Sequence, residues 1–190
     1  MHRHLLGYVT AMDAITLLKT DHKTVEKLFK QFEKAGDRAI LTKGKLVGGM
    51  VKELSVHAAI EEQVFYPAVR REVENAKDQV LEGLEEHHVA KWLLSELDGM
   101  DPEDERFDAK VTVLIESVRH HVEEEEETLF PMVRKALGRK RLAEIGAQLD
   151  QAKKAAPVHP HPRSPDAPPG NVVVGAIAGA IDKARHAFEE

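Results

Sequence analysis

A chain of 190 residues can bury one sizeable core with some sequence to spare at an end, but two complete domains would be cramped. Its formal net charge of -6, from 33 acidic and 27 basic residues with no basic block, argues against a nucleic-acid or anionic-membrane surface as the main partner. The lack of cysteine removes thiol nucleophiles, disulfides and thiolate metal sites, so any redox chemistry has to come from a bound cofactor, and it fits a reducing cytoplasm.

The opening MHRHLLGYVTAM has an apolar patch too short for a signal-peptide core, so no export is expected, and Met12 offers a second start. From about residue 13 to 155 apolar residues recur at three- and four-residue spacing and strand-like alternation is missing, which predicts an all-α domain. The first helix runs from an Asp13 N-cap to Ala35, before Gly36 and Asp37. The second spans about 39 to 70 and contains Gly44, Gly48 and Gly49, which lower its propensity and allow close helix approach. A third covers about 75 to 98. Asp101 as N-cap and Pro102 at the first helical position predict a fourth that reaches Leu137 and stops at Gly138, followed by a shorter amphipathic helix over about 140 to 154.

Residues 156–170 form a separate unit in which PVHPHPRSPDAPPG holds six of the nine prolines, so it reads as an extended linker whose two histidines are solvated. Residues 171–190 read as a terminal amphipathic helix, with Gly175 and Gly179 four apart, that docks on its own bundle or on a second copy. The apolar run 172–181 is too short to span a membrane.

The sequence repeats itself. A shift of 64 residues lays HAAIEEQVFYP (57–67) on HVEEEEETLFP (121–131), matching His57 with His121, Glu61 with Glu125 and Pro67 with Pro131. A shift of 65 lays DHKTVEKLF (21–29) on EHHVAKWLL (86–94), matching Asp21 with Glu86 and His22 with His87. A helix pair used twice makes an up-down four-helix bundle whose facing side chains converge on one axis. Helical register puts His57 and Glu61 on a face with Met50, Leu54 and Phe65, and His121 and Glu125 on one with Leu114, Val118 and Leu129. His22 shares its face with Leu18, Val25 and Phe29, and His87 with Val80, Leu84 and Leu94, whereas His88 and His120 lie on more polar faces.

One histidine on an apolar face is more often a hydrogen-bonded core residue than a ligand, and five consecutive glutamates alone would be a solvated face. The conjunction of four histidines and two glutamates in apolar register, duplicated, points elsewhere. Two buried carboxylates need compensating positive charge, and lysine and arginine are absent from these faces, with Lys91 only nearby. A pair of metal ions supplies that charge, and imidazole with carboxylate suits iron, manganese or zinc.

Through TDH at 20–22, HAAIEEQVFYP, EEHHVAKWLL and HHVEEEEETLFP, residues 13 to 137 resemble the hemerythrin-like family, or HHE cation-binding domain. The resemblance implies two iron ions bridged by carboxylates and an oxo or hydroxo group. His22, His57, His87 and His121 would be terminal ligands and Glu61 and Glu125 the bridges. Oxygen-carrying members place a histidine where Lys91 stands and use a longer histidine-to-carboxylate spacing in the last helix, to which Glu126 would correspond. Each iron therefore keeps one open position, and Glu26, one turn after His22, is a reserve ligand or a partner of one. His88, Lys91 and Glu126 are further residues expected near the centre. The function implied is binding or turnover of dioxygen, peroxide or nitric oxide in a cytoplasmic oxidative-stress role, by a monomer or homodimer. Alternatives are a reversible oxygen binder or sensor that signals through the linker and last helix, and a non-enzymatic iron or zinc binding or storage module.

Overall fold

The computed structural model describes residues 12–165 together with 170, 171 and 180. Helix α1 (Ala14–Lys34) begins at the Asp13 N-cap, whose carboxylate accepts from Thr16 N, and α2 (Ile40–Ile60) runs back beside it. A π-helical turn, Glu61–Phe65, carries α2 into α3 (Tyr66–Glu72). After a turn in which Asn75 has φ 64°, α4 (Lys77–Leu97) returns, and α5 (Phe107–Glu124) passes through a second π-helical turn, Glu125–Leu129, into α6 (Phe130–Lys153). No strand occurs among the described residues, and the four long rods form the expected up-down bundle.

The start of α5 and the course of two helices differ from expectation for physical reasons, while Gly138 behaves as expected. Asp101 and Pro102 do not start α5: Asp101 and Asp104 accept from the backbone N–H two residues on, at Glu103 and Arg106, and these Asx turns hold 101–106 out of the helix. The continuous second helix is interrupted at Glu61–Phe65, as is its counterpart at Glu125–Leu129. Pro67 and Pro131 lack an N–H and would press on the carbonyl four residues back, and a wider turn relieves that clash. Finally, α6 is two segments joined at Gly138 (φ 66°, ψ 175°), a conformation open only to glycine, as the sequence anticipates. Turned there, the second segment crosses to α1, where Lys153 pairs with Asp21.

The apolar interior falls into two clusters. One gathers Phe65, Tyr66, Phe130, Leu142 and Ile145, and the other Phe29, Phe32, Met50, Leu94 and Phe107. The expected histidines and glutamates lie in the layer between them.

The proline-rich segment is not a free linker. Residues 157–165 lie along the seam between α2 and α4, against Ser55, Ala59, Glu62 and Lys91, and His159 Nδ1 donates to Asp98 Oδ2 at 2.8 Å. Proline fixes the backbone dihedrals without preventing the segment from packing. Apart from Asn171 and Ala180, the expected terminal helix 171–190 lies outside the described residues, as do 166–169 of the linker.

Candidate metal centre

His22 on α1, His57 on α2, His87 on α4 and His121 on α5 are all buried, at 4 to 6% exposure, and they point inward. Their Nε2 atoms meet in pairs, His22 with His57 at 3.3 Å and His87 with His121 at 3.2 Å. Glu61 Oε2 lies between the pairs, 3.1 Å from His57 Nε2 and 3.3 Å from His87 Nε2. Glu125 Oε2 is 3.3 Å from His22 Nε2 and 3.8 Å from His121 Nε2. Two groups result, His22, His57, Glu61 and Glu125 in one and Glu61, His87 and His121 in the other, with Glu61 common to both.

The outward nitrogen of each ring faces a carboxylate. His22 Nδ1 donates to Glu126 at 2.9 Å, His87 Nδ1 to Glu62 at 3.2 Å and His121 Nδ1 to Glu86 at 2.7 Å. His57 Nδ1 faces Asp21 at 3.8 Å, a charge contact too long for a hydrogen bond. Such partners fix tautomer and ring orientation, leaving each Nε2 lone pair directed at the centre.

Carboxylate chemistry tests whether this set fits cations. Both Glu61 oxygens and Glu125 Oε2 are buried without a hydrogen-bond donor. An ionised carboxylate so placed costs several kcal/mol, on the order of what only close positive charge offsets. Pairs of Nε2 atoms 3.2 to 3.3 Å apart have the spacing of neighbouring ligands about one ion with bonds of about 2.1 Å. The residues fit two cations sharing carboxylates.

Without cations, protons take the compensating role. Burial pushes His57 down, but the Glu61 charge and the Asp21 carboxylate outweigh it and raise His57 to about 10. Burial likewise opposes charging of His87, which Glu61 and Glu62 raise to about 9. Burial would lift Glu61, yet His57 and His87 hold it well below the usual carboxylate range.

Tyr66 completes the site. Its hydroxyl donates to Glu125 Oε1 at 2.9 Å, and burial together with Glu125 and Glu61 raises its pKa well above that of an ordinary phenol. Gly83 makes the room, since a Cβ there would lie 2.9 Å from that hydroxyl. The repeat places Phe130 opposite, and it stacks on His22 with ring centroids 5.8 Å apart. At this position the two halves differ by one hydroxyl.

Other expected residues fall elsewhere. Glu26 is turned outward, paired with Arg119 at 3.0 and 3.1 Å and with Lys30 at 3.3 Å. His88 and His120 are exposed. Lys91 was expected only nearby, yet it is buried and grips Glu62 at 2.9 and 3.1 Å; the two opposite charges enter the interior together, which a face read one helix at a time conceals. Glu126 serves His22 from outside. Helical register alone assigns no role to Asp21, Glu62, Glu86 or Tyr66, although the duplication lays Asp21 on Glu86 and Glu62 on Glu126, a signal that marks all four carboxylates.

An all-α bundle with a buried layer of paired imidazoles and shared carboxylates defines a cation-binding protein. Residues 13–133 match the model of the hemerythrin HHE cation-binding domain, and the chain belongs to that family. It is 28% identical over 187 residues to an uncharacterised hemerythrin-like protein of Schizosaccharomyces pombe, covering 98% of this chain and 91% of that one. It is 29% identical over 142 residues to a DNA nickase of a Nostoc species, covering 75% of this chain but 39% of the nickase. The fold is also that of the crystal structure of a hemerythrin HHE cation-binding domain-containing protein from Mycobacterium kansasii, with a TM-score of 0.63, 21% identity, and coverage of 75% of this chain and 88% of that one.

Proposed function

We propose that this chain is a non-haem diiron protein that binds or turns over dioxygen, peroxide or nitric oxide. His22, His57, Glu61 and Glu125 would hold one ion and His87, His121 and the same two carboxylates the other, with manganese or zinc as alternative metals. The observation that carries the reading is a cavity of about 30 Å³ bounded by all four histidines and by Val25, Leu54, Ala58, Leu94, Val118 and Val122. That volume admits only one or two water-sized molecules. Its wall is mostly apolar, interrupted by Glu86, Lys91 and Ser117, and favours a small ligand over larger substrates.

An iron pair supplies two electrons that can be shared with one small oxidant. The chain's own groups do the rest. Glu126, Asp21, Glu62 and Glu86 keep the imidazoles oriented, Tyr66 holds a proton on its hydroxyl against Glu125, and the valines and leucines limit water.

The test is metal analysis of protein purified from its own cells, with optical spectra in air and after peroxide. Two irons per chain and consumption of peroxide are expected, and His57→Ala should abolish turnover; undiminished turnover in that variant removes the enzymatic reading. Reversible oxygenation without consumption would instead favour an oxygen binder or sensor, for which the packing of 157–165 beside Glu62 and Lys91 offers a route outward. Stabilisation by metal with no small-molecule reactivity would favour iron or zinc storage. Nicking of DNA belongs to the Nostoc protein, most of which this chain does not match, and the acidic charge here gives it no support.

A further inference from the structure

We propose that the groove between α4 and α5 is the route by which divalent cations enter the centre, with Glu86, His120 and Glu124 as an outer landing site. The inference rests on the metal-centre reading above and adds how that centre is filled.

The ligand atoms of Glu86, His120 and Glu124 lie within 4.8 Å of one another at the surface, a third group able to hold an ion. Exposed acidic clusters are common, and this one gains meaning from what lies beneath it. A cavity of about 240 Å³ opens between the same two helices, and its wall includes Glu82, Glu86 and Glu124 outside and Tyr66, His121 and Glu125 inside. No lysine or arginine lines it among the described residues. Glu125 is 3% exposed and its Oε2 accepts no hydrogen bond, while Gln79 Oε1 on the same wall is also buried without a donor. An ion descending the groove thus passes from one set of oxygen donors to another. Glu86 joins the two levels, since it belongs to the outer group and accepts from His121 Nδ1.

The other openings suit cations less. The groove between α1 and α5 is larger, about 950 Å³, but its five lysines and Arg119 outnumber its four glutamates. Residues 157–165 cover the seam between α2 and α4. A cleft lined by one sign of charge concentrates its counter-ion and raises its rate of arrival.

Metal-free full-length protein is mixed anaerobically with Fe²⁺, quenched with a chelator at intervals and analysed for bound iron. The double variant His120→Ala/Glu124→Gln should load about tenfold more slowly than wild type and reach the same final content. Glu116→Gln, which removes the same charge from an exposed position on α5, should load at the wild-type rate. Equal rates in the double variant and wild type overturn the route, as does equal slowing in Glu116→Gln, which would mean that overall charge and no particular groove governs loading. An unslowed initial rate with reduced final content also overturns it. If wild type takes up no iron, the metal-centre reading itself falls and the route with it. Because both side chains lie on the outer rim of the groove, circular dichroism should be unchanged.

Discussion

Glu126 illustrates how much of the centre is built by residues one step away from it. Its carboxylate accepts from His22 Nδ1 and pairs with Lys19 at 2.8 Å, so it both turns the ring and raises the basicity of the opposite nitrogen. Glu126→Gln keeps the shape and an acceptor but loses the charge, and it should weaken metal binding about tenfold in a chelator competition. Protons compete for the same nitrogens. With His57 raised to about 10 and His87 to about 9, both carry protons in the metal-free protein at pH 8, and metal must displace them. Loading at pH 8 should therefore release about two protons, read by calorimetry in buffers of different ionisation enthalpy. The sign follows: apparent affinity falls as pH drops below about 10, more steeply below about 9, and metal is lost on acidification. The six convergent side chains stand out in the sequence because each shares a helical face with leucine, valine or phenylalanine. Their carboxylate partners do not, because Asp21 meets His57, and Glu86 meets His121, across a helix interface whose rotation no single-helix pattern specifies.

Secondary structure was most legible where a backbone rule is strict. Asp13 and Gly138 mark real boundaries because an N-cap carboxylate and a left-handed glycine have few substitutes. Asp101 misleads because the same side chain that caps helices also closes tight turns. The π-helical turns are not legible in the helical pattern, although Pro67 and Pro131 stand just beyond them, because periodicity passes through a single widened turn almost undisturbed. Near one such turn, Glu72 at the end of α3 accepts from Arg141 of α6 at 2.8 and 2.9 Å. Arg141, followed by Arg71, holds the Glu72 carboxyl down at about 2. A depressed acid stabilises the fold above its unfolded value, near 4.5, and that contribution disappears as pH falls through 2. Glu72→Gln should lower Tm by about 2 °C at pH 7, a modest effect for a solvent-screened pair, and the gap to wild type should close between pH 4.5 and 2 in thermal melts.

The whole molecule is a duplicated helix pair with a polar layer between two apolar clusters, and the duplication made that plan readable. The packing of residues 157–165 was hidden, because proline content describes the local backbone and says nothing of which surface the chain meets. No helix among the described residues is long and apolar enough to cross a membrane. The sharing of Glu61 between the two histidine pairs has a mechanical consequence. Histidines 22 and 57 come from the first repeat and 87 and 121 from the second, while the glutamates reach across, so an occupied centre would clasp one repeat to the other. Cutting the exposed turn at Glu74 and Asn75 should leave two fragments that stay associated when loaded and drift apart more readily after chelation, as size-exclusion chromatography would record. Ions that each half grips alone become, through two crossing carboxylates, the rivets of a hinge that the polypeptide no longer needs to close.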